Sequence, residues 1–256
     1  MLCIGHCVAP ACPAIQDLHA QSAAAVLARD FSDPDLSYLL LDENGQVIAQ
    51  RWEHAERELP IGSLVKPFVA AAYGQVHRNF PVFKCTGKKT CWLPRGHGTL
   101  HISDAIAFSC NSYFHQLVAG AGPGFASALK TYPVRFDSSG GWAAPLPLAE
   151  AYLELTRHPR DAAVVPVLQG MTLSAQKGTG KASGEALLPI PAMAKTGTAP
   201  CTHAKKAPGD GFALVMSPAD HPRAVLLVRL HGRPGFIAAG LAGRMITAVE
   251  GNEGGK

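Results

Sequence analysis

The chain has 256 residues, which is enough for one large domain with a substantial buried core. Apolar residues make up 47% of it and charged residues 16%, a balance that excludes an intrinsically disordered chain. The net charge of +4 is mild and the basic residues are scattered, so nucleic-acid binding is not indicated, and no apolar run reaches the ~20 residues needed to cross a bilayer.

The predicted elements begin with an Ala-rich helix at residues 21–31. Residues 36–41 and 46–52 predict two strands, because the Asn-Gly in the turn between them is a strong hairpin signal. The middle of the chain, from residue 63 to about residue 170, predicts mainly helices with Gly- and Pro-containing loops. Three further strands and a closing helix follow at residues 192–198, 211–216, 224–230 and 235–249.

This order of elements predicts an α+β fold. We expect a five-stranded antiparallel sheet with the N- and C-terminal helices on one face and a mainly helical insertion. A site would then lie where the insertion meets the sheet.

Three short motifs carry the candidate chemistry, and the first is Ser63-Leu64-Val65-Lys66. The Pro-Ile-Gly sequence before it indicates a turn, and the run after it, rich in Ala and Val, indicates a helix that begins at Ser63. Residues three apart share a helix face, so Lys66 is expected beneath the Ser63 hydroxyl. A serine nucleophile needs a base in reach, and a lysine can serve only if its pKa falls from about 10.4.

The second and third motifs are Ser109-Cys110-Asn111 and Lys195-Thr196-Gly197-Thr198. In this order, the motifs supply a nucleophile, proton-transfer groups and an anion site for serine acyl transfer. Taken singly, they equally fit helix caps, a solvated lysine and a turn. Their joint occurrence favours one shared active site.

With these motifs the chain resembles the penicillin-binding proteins and the serine β-lactamases, and above all a small penicillin-binding transpeptidase domain. The resemblance runs from about residue 36 to about residue 249, and its flanking segments are residues 85–87, 91–92, 96–98, 105–114, 145–152 and 178–180. The chain departs from the family pattern in a short interval between the second and third motifs and in Ile61, which interrupts a Pro-Gly-Ser sequence. These departures concern the acceptor and the reaction outcome rather than acylation.

The resemblance implies five catalytic residues. Ser63 would be the nucleophile, Lys66 its base, and Lys195 the neighbouring charge that lowers the pKa of Lys66. Ser109 would relay the proton to the leaving amine, and Asn111 would hold Lys66 and the substrate amide.

The resemblance also implies a substrate-binding strand made of Thr196, Gly197 and Thr198. The two threonines would bind a substrate carboxylate beside Lys195. The backbone N–H groups of Ser63 and Thr198 would form the oxyanion hole.

The implied activity is that of a serine D,D-transpeptidase on the D-Ala-D-Ala end of peptidoglycan stem peptides. The implied ligands are the stem peptide and β-lactams, the implied partners are cell-wall synthesis or division proteins, and no cofactor is expected. The alternatives are a D,D-carboxypeptidase, a serine β-lactamase, and a non-catalytic β-lactam sensor or cell-wall-binding module. Glu150 is interpreted as a solvated helix residue rather than a deacylating base, which disfavours the β-lactamase.

The seven cysteines leave at least one unpaired thiol in an exported protein. Cys110 is interpreted as a small buried apolar residue inside its motif. Cys85 and Cys91 are close enough to form a disulfide in an oxidising compartment, and free thiols are a second reading. In a third reading they bind a structural zinc ion with His97 and a fourth group, although the two five-residue spacers are irregular for such a site. The catalytic mechanism itself predicts no metal.

The N-terminal segment, residues 1–14, resembles the tail of a secretory signal but lacks a basic start and a long apolar core. We predict that residues 1–20 are a signal remnant or a disordered N-terminus and that residues 21–256 form a single domain. An extracytoplasmic location, in the periplasm or cell envelope, follows from the implied substrate and not from the signal segment.

Overall fold

The computed structural model of the chain describes residues 13–137, 140–202 and 207–251. The helices in these residues are α1 (Pro13–Asp30), α2 (Lys66–Val76), α3 (Ile102–Ala107), α4 (Asn111–Ala119), α5 (Phe125–Leu129), α6 (Pro145–Thr156), α7 (Val165–Lys177), α8 (Lys181–Ala186) and α9 (Gly235–Gly251). The strands are β1 (Leu36–Asp42), β2 (Val47–Arg51), β3 (Leu59–Pro60), β4 (Phe83–Cys85), β5 (Gly98–Leu100), β6 (Arg135–Asp137), β7 (Gly140–Ala143), β8 (Met193–Ala199), β9 (Asp210–Ser217) and β10 (Ala224–His231).

The main sheet has five antiparallel strands in the order β2-β1-β10-β9-β8, which confirms the predicted fold class. The hairpin between β1 and β2 forms where the Asn-Gly signal predicts it. There Asp42 accepts hydrogen bonds from the backbone N–H groups of Asn44 and Gln46, and Gly45 adopts a φ of +86°. That φ favours glycine over residues with a side chain.

The two faces of the sheet pack against different layers, because side chains alternate along each strand. On one face, Leu40, Val215 and Leu226 pack with Leu27 of α1 and Met245 of α9. On the other face, residues of the sheet such as Leu39, Leu214 and Leu227 share a cluster with residues of the helical insertion such as Phe68 and Tyr152. The terminal helices therefore lie on one face and the insertion on the other, as predicted.

The predicted helix at Ser63 divides into two parts. A 3₁₀ turn covers Gly62–Val65, and α2 begins at Lys66 with Pro67 in its first turn. Proline is tolerated there because a first-turn N–H has no partner within the helix. The backbone N–H of Lys66 donates to the carbonyl of Ser63, so the two residues remain one turn apart.

Helix α1 begins at Pro13 rather than at residue 21. Residues 1–12 lie outside the described part of the chain, so the domain boundary near residue 20 stays a prediction. None of the helices in the described ranges combines the length and apolar character needed to cross a bilayer.

Candidate active site

The 3₁₀ turn that carries Ser63 touches strand β8 backbone to backbone. Gly62 has a φ of +55°, and a Cβ atom there would lie 2.3 Å from the carbonyl oxygen of Thr198. A Cβ at Gly197 would lie 2.6 Å from the carbonyl oxygen of Ile61 and 3.3 Å from the backbone nitrogen of Ser63. Two glycines thus permit the close approach, and the backbone of Ser63 lies beside that of β8.

Lys66 lies at the start of α2 with only 6% of its surface exposed. Its Nζ atom donates to the backbone oxygen of Ser109 at 2.8 Å and to Oδ1 of Asn111 at 2.6 Å. It lies 3.4 Å from Oγ of Ser109. The first and second motifs are therefore in direct contact.

The Ser63 hydroxyl is half-buried and has no hydrogen-bond partner among the residues that the structure describes. Lys66 therefore does not hydrogen-bond to it here, unlike the arrangement that the helix spacing predicts. In free enzymes the hydrogen bond between a nucleophile and its base is often long and shortens when substrate binds.

Ser109 links the second motif to the third. Lys195 is fully buried, and its Nζ donates to Oγ of Ser109 at 2.9 Å and to the carbonyl of Thr196 at 2.8 Å. The φ of Ser109 is +50°, a strained value for a residue with a side chain. In this conformation the carbonyl oxygen of Ser109 accepts a hydrogen bond from Lys66, and its hydroxyl oxygen accepts one from Lys195.

Both lysines are shifted toward the neutral form. Burial lowers the pKa of Lys66 to about 7, although the nearby thiols of Cys110 and Cys91 oppose the shift. Burial, and then the charge of Lys66, lowers the pKa of Lys195 well below its usual value. A neutral lysine near pH 7 has a free lone pair and can accept a proton.

The two threonine side chains of the substrate-binding strand have different hydrogen-bond partners. Thr196 is buried and donates its hydroxyl proton to Oγ1 of Thr179 at 2.6 Å. The exposed Thr198 accepts a hydrogen bond from the backbone N–H of Gly235 at 3.1 Å. Thr179 lies in the segment 178–180, where the sequence indicates a turn but not a hydroxyl that faces Thr196.

Helix α6 forms a hydrogen bond to the 3₁₀ turn that carries Ser63. The buried hydroxyl of Tyr152 donates to the carbonyl of Leu64 at 2.6 Å, one residue from Ser63. Glu150 on the same helix is exposed, as the sequence predicts. No carboxylate hydrogen-bonds to the motif residues within the described ranges.

The cysteines of the second motif region gather close to the site. Cys85, Cys91 and Cys110 are free thiols, so Cys85 and Cys91 form no disulfide. Cys85, Cys91 and His97 lie together, and Cys110 completes the group. Cys110 is buried, as predicted, but its thiol faces this group, which the sequence does not indicate.

No protein-family model and no curated protein sequence matches the chain. Several solved structures are similar to the chain. The transpeptidase domain of FtsI4, a D,D-transpeptidase from Legionella pneumophila, has a TM-score of 0.62 at 19% identity, over 93% of this chain and 97% of that one. The D,D-transpeptidase domain of a peptidoglycan glycosyltransferase from Eggerthella lenta gives 0.67 at 17% identity, over 92% and 81%.

The transpeptidase domain of penicillin-binding protein 3 from Burkholderia pseudomallei gives a TM-score of 0.70 at 14% identity, over 97% of this chain and 96% of that one. All three comparisons cover nearly the whole chain. The chain therefore has the fold of the penicillin-binding transpeptidase domains.

Proposed function

We propose that the chain is an extracytoplasmic, penicillin-binding serine D,D-transpeptidase that acts on D-Ala-D-Ala stem peptides through an acyl-enzyme on Ser63. The observation that carries the proposal is the buried hydrogen-bond network of Lys66, Ser109, Asn111 and Lys195 beside that serine. Such a network supplies the base and the proton relay that a serine nucleophile requires.

In the first step, Ser63 Oγ attacks the carbonyl carbon of the penultimate D-Ala and its proton passes to neutral Lys66. The backbone N–H groups of Ser63 and Thr198 donate to the oxygen that becomes negative. The close approach of Gly62 and Gly197 keeps these two N–H groups near each other.

In the second step, the bond between the carbonyl carbon and the terminal D-Ala nitrogen breaks. The proton held by Lys66 passes through the Ser109 hydroxyl to that nitrogen, so D-Ala leaves as a neutral amine. The terminal carboxylate binds beside Lys195 and Thr198, and its negative charge favours the protonated form of Lys195.

An acceptor amine then attacks the carbonyl carbon of the acyl-enzyme, and Lys66 takes the amine proton. The bond from that carbon to Ser63 Oγ breaks as Lys66 returns a proton to this oxygen. Glu150 is exposed, and within the described ranges no carboxylate hydrogen-bonds to the motif residues, which favours an amine acceptor over rapid hydrolysis. We propose on the same ground that β-lactams form a long-lived acyl-enzyme rather than being turned over.

The proposed location and partners depend on this substrate. Stem peptides are part of the cell wall, so the chain would work outside the cytoplasm together with cell-wall synthesis or division proteins. One of the similar structures is a domain of a peptidoglycan glycosyltransferase, which supports that setting.

The test is incubation of the purified chain with a D-Ala-D-Ala stem peptide, with and without an amine acceptor, followed by mass spectrometry. We expect an acceptor-dependent amide product and free D-Ala, both absent with Ser63→Ala. Release of D-Ala without an amide product would indicate a carboxypeptidase instead. Turnover of a chromogenic cephalosporin would indicate a β-lactamase, and a stable penicillin adduct without peptide turnover would indicate a sensor.

A further inference from the structure

Three cysteines and one histidine converge at the side of the second motif. Cys85 ends β4, and its backbone pairs with Gly98 at the start of β5, directly after His97. Cys91 follows the 3₁₀ turn at Lys88–Thr90 in the loop between these strands. Cys110, the residue before α4, faces them from the insertion. The β4–β5 hairpin thus presents two sulfur atoms and one ring nitrogen, and the residue before α4 presents a third sulfur atom.

The distances in this cluster are those of a tetrahedral ligand set. Nδ1 of His97 lies 3.6 Å from Sγ of Cys85 and 3.5 Å from Sγ of Cys91, and the sulfur atoms of Cys91 and Cys110 are 3.8 Å apart. All four atoms lie within 4.8 Å of one another. Around zinc, with Zn–S bonds of about 2.3 Å and Zn–N of about 2.0 Å, tetrahedral geometry separates sulfur atoms by about 3.8 Å and sulfur from nitrogen by about 3.5 Å.

The surroundings of His97 leave ligation as its clearest role. Its ring packs between Trp92, at a centroid distance of 5.3 Å, and Phe108, at 5.9 Å. Nε2 of His97 is buried and has no hydrogen-bond partner among the described residues. Nδ1 contacts only the thiols of Cys85 and Cys91. An imidazole is costly to bury for such weak partners, whereas a metal bond to Nδ1 would compensate that cost.

The loop that carries the cluster is closed tightly by its backbone. A Cβ at Gly87 would lie 2.3 Å from the backbone nitrogen of Gly96, and both glycines have a φ of +73°. The backbone N–H of Lys88 donates to the carbonyl of Pro94 at 3.1 Å. Such a closed loop holds Cys91 and His97 in fixed positions relative to Cys85, as a ligand set requires.

We propose that Cys85, Cys91, His97 and Cys110 bind one zinc ion as a closed Cys₃His site. Soft thiolates with one imidazole in tetrahedral geometry suit zinc, and four protein ligands leave no open position for a substrate. The ion is therefore structural. It ties the β4–β5 hairpin to Cys110, and so holds in place the backbone of Ser109 and Asn111, which both bind Lys66.

The primary test is the metal content of the full chain, purified under reducing conditions and measured by inductively coupled plasma mass spectrometry. We expect about one zinc per chain in the wild type and clearly less than one in Cys91→Ser. Loss of a thiolate ligand should weaken zinc binding by at least about 10-fold, because removal of an outer-shell partner alone can cause that loss. The control is His101→Gln. This histidine lies four residues after His97 but is exposed and outside the ligand cluster, so the variant should keep the full zinc content.

Cobalt substitution of the wild-type chain keeps the test independent of how the variants fold. Tetrahedral thiolate ligation predicts a thiolate-to-cobalt charge-transfer band and intense visible d–d bands, both lost on adding one equivalent of zinc. The proposal is overturned if the purified wild type holds no zinc and takes none up, if Cys91→Ser keeps its zinc, or if the cobalt-substituted chain shows no thiolate band.

Penicillin labelling separates this inference from the proposed function. Removal of zinc should slow labelling of the wild type, and its return should restore the rate. Normal labelling of a chain that never binds zinc would leave the proposed function standing and refute the metal site. A zinc-loaded chain that penicillin does not label would support the metal site and refute the proposed function.

Discussion

At the scale of single residues, the protonation of Lys66 governs the proposed chemistry. Its ammonium group is buried and loses hydration, which lowers its pKa to about 7. Three oxygen contacts from Ser109 and Asn111 orient it without supplying a full negative charge. The environment therefore favours a lysine that accepts protons at neutral pH.

This environment predicts the pH dependence of acylation. Below about pH 7 each unit should lower the neutral fraction of Lys66, and with it the acylation rate, about tenfold, with a plateau above. The measurement is the rate of fluorescent-penicillin labelling between about pH 5 and pH 9. Lys66→Arg should lower the plateau about 10²- to 10⁴-fold, because a guanidinium stays protonated. A rate that falls with rising pH across this range would contradict the assignment of the base.

At the scale of elements, the contact between the 3₁₀ turn and β8 rests on Gly62. Gly62→Ala places a Cβ against the carbonyl of Thr198, so we expect the two elements to separate and acylation to fall. Gly122→Ala is the matched control, because its φ of +64° carries the same backbone cost and its Cβ would meet nothing within 4 Å.

Both glycine variants should lose about 1–2 kcal/mol of unfolding free energy from the left-handed backbone. Only Gly62→Ala should also lose penicillin labelling. Equal labelling of the two variants would show that the close approach does not matter for acylation.

The support of the 3₁₀ turn by α6 gives a stability prediction. Tyr152→Phe leaves the buried carbonyl of Leu64 without its donor, which should cost about 1–3 kcal/mol in urea denaturation. Tyr132→Phe is the control, since its hydroxyl only accepts a solvent-exposed bond from Gln75 and its loss should cost little. Similar costs for the two variants would contradict a special role for the bond to Leu64.

At the scale of the whole molecule, a buried lysine links stability to pH. The folded chain holds the Lys66 proton less tightly than the unfolded chain, whose lysine pKa is about 10.4, so the unfolded state binds more protons between about pH 7 and pH 10. Rising pH should therefore stabilise the wild type.

The comparison with Lys66→Met isolates this effect from other titrating groups. Unfolding free energies measured from pH 7 to about pH 9 should rise in the wild type relative to Lys66→Met, by at most about 1.4 kcal/mol per unit. Lys130→Met, at an exposed site, should track the wild type. A wild type that weakens relative to Lys66→Met would refute the shift.

The main sheet could be predicted from sequence because its signals are local. Short apolar runs and the Asn-Gly turn locate all five strands to within about two residues at each end. The motif residues were predictable because their order is distinctive, and the structure brings Lys66, Ser109, Asn111 and Lys195 together.

Contacts between distant segments could not be predicted in this way. The bond of Thr196 to Thr179, and the convergence of Cys110 with Cys85, depend on how helices and loops pack. The strained φ of Ser109 likewise has no local sequence signal, since glycine is the residue that such a conformation favours.

The central claim is that Ser63 is an acylated nucleophile, and labelling with a fluorescent penicillin followed by intact mass tests it most directly. We predict a stable adduct of one penicillin on the wild type and none on Ser63→Ala, with both proteins folded by circular dichroism. A folded wild type without an adduct, or an adduct that persists in Ser63→Ala, would contradict the account.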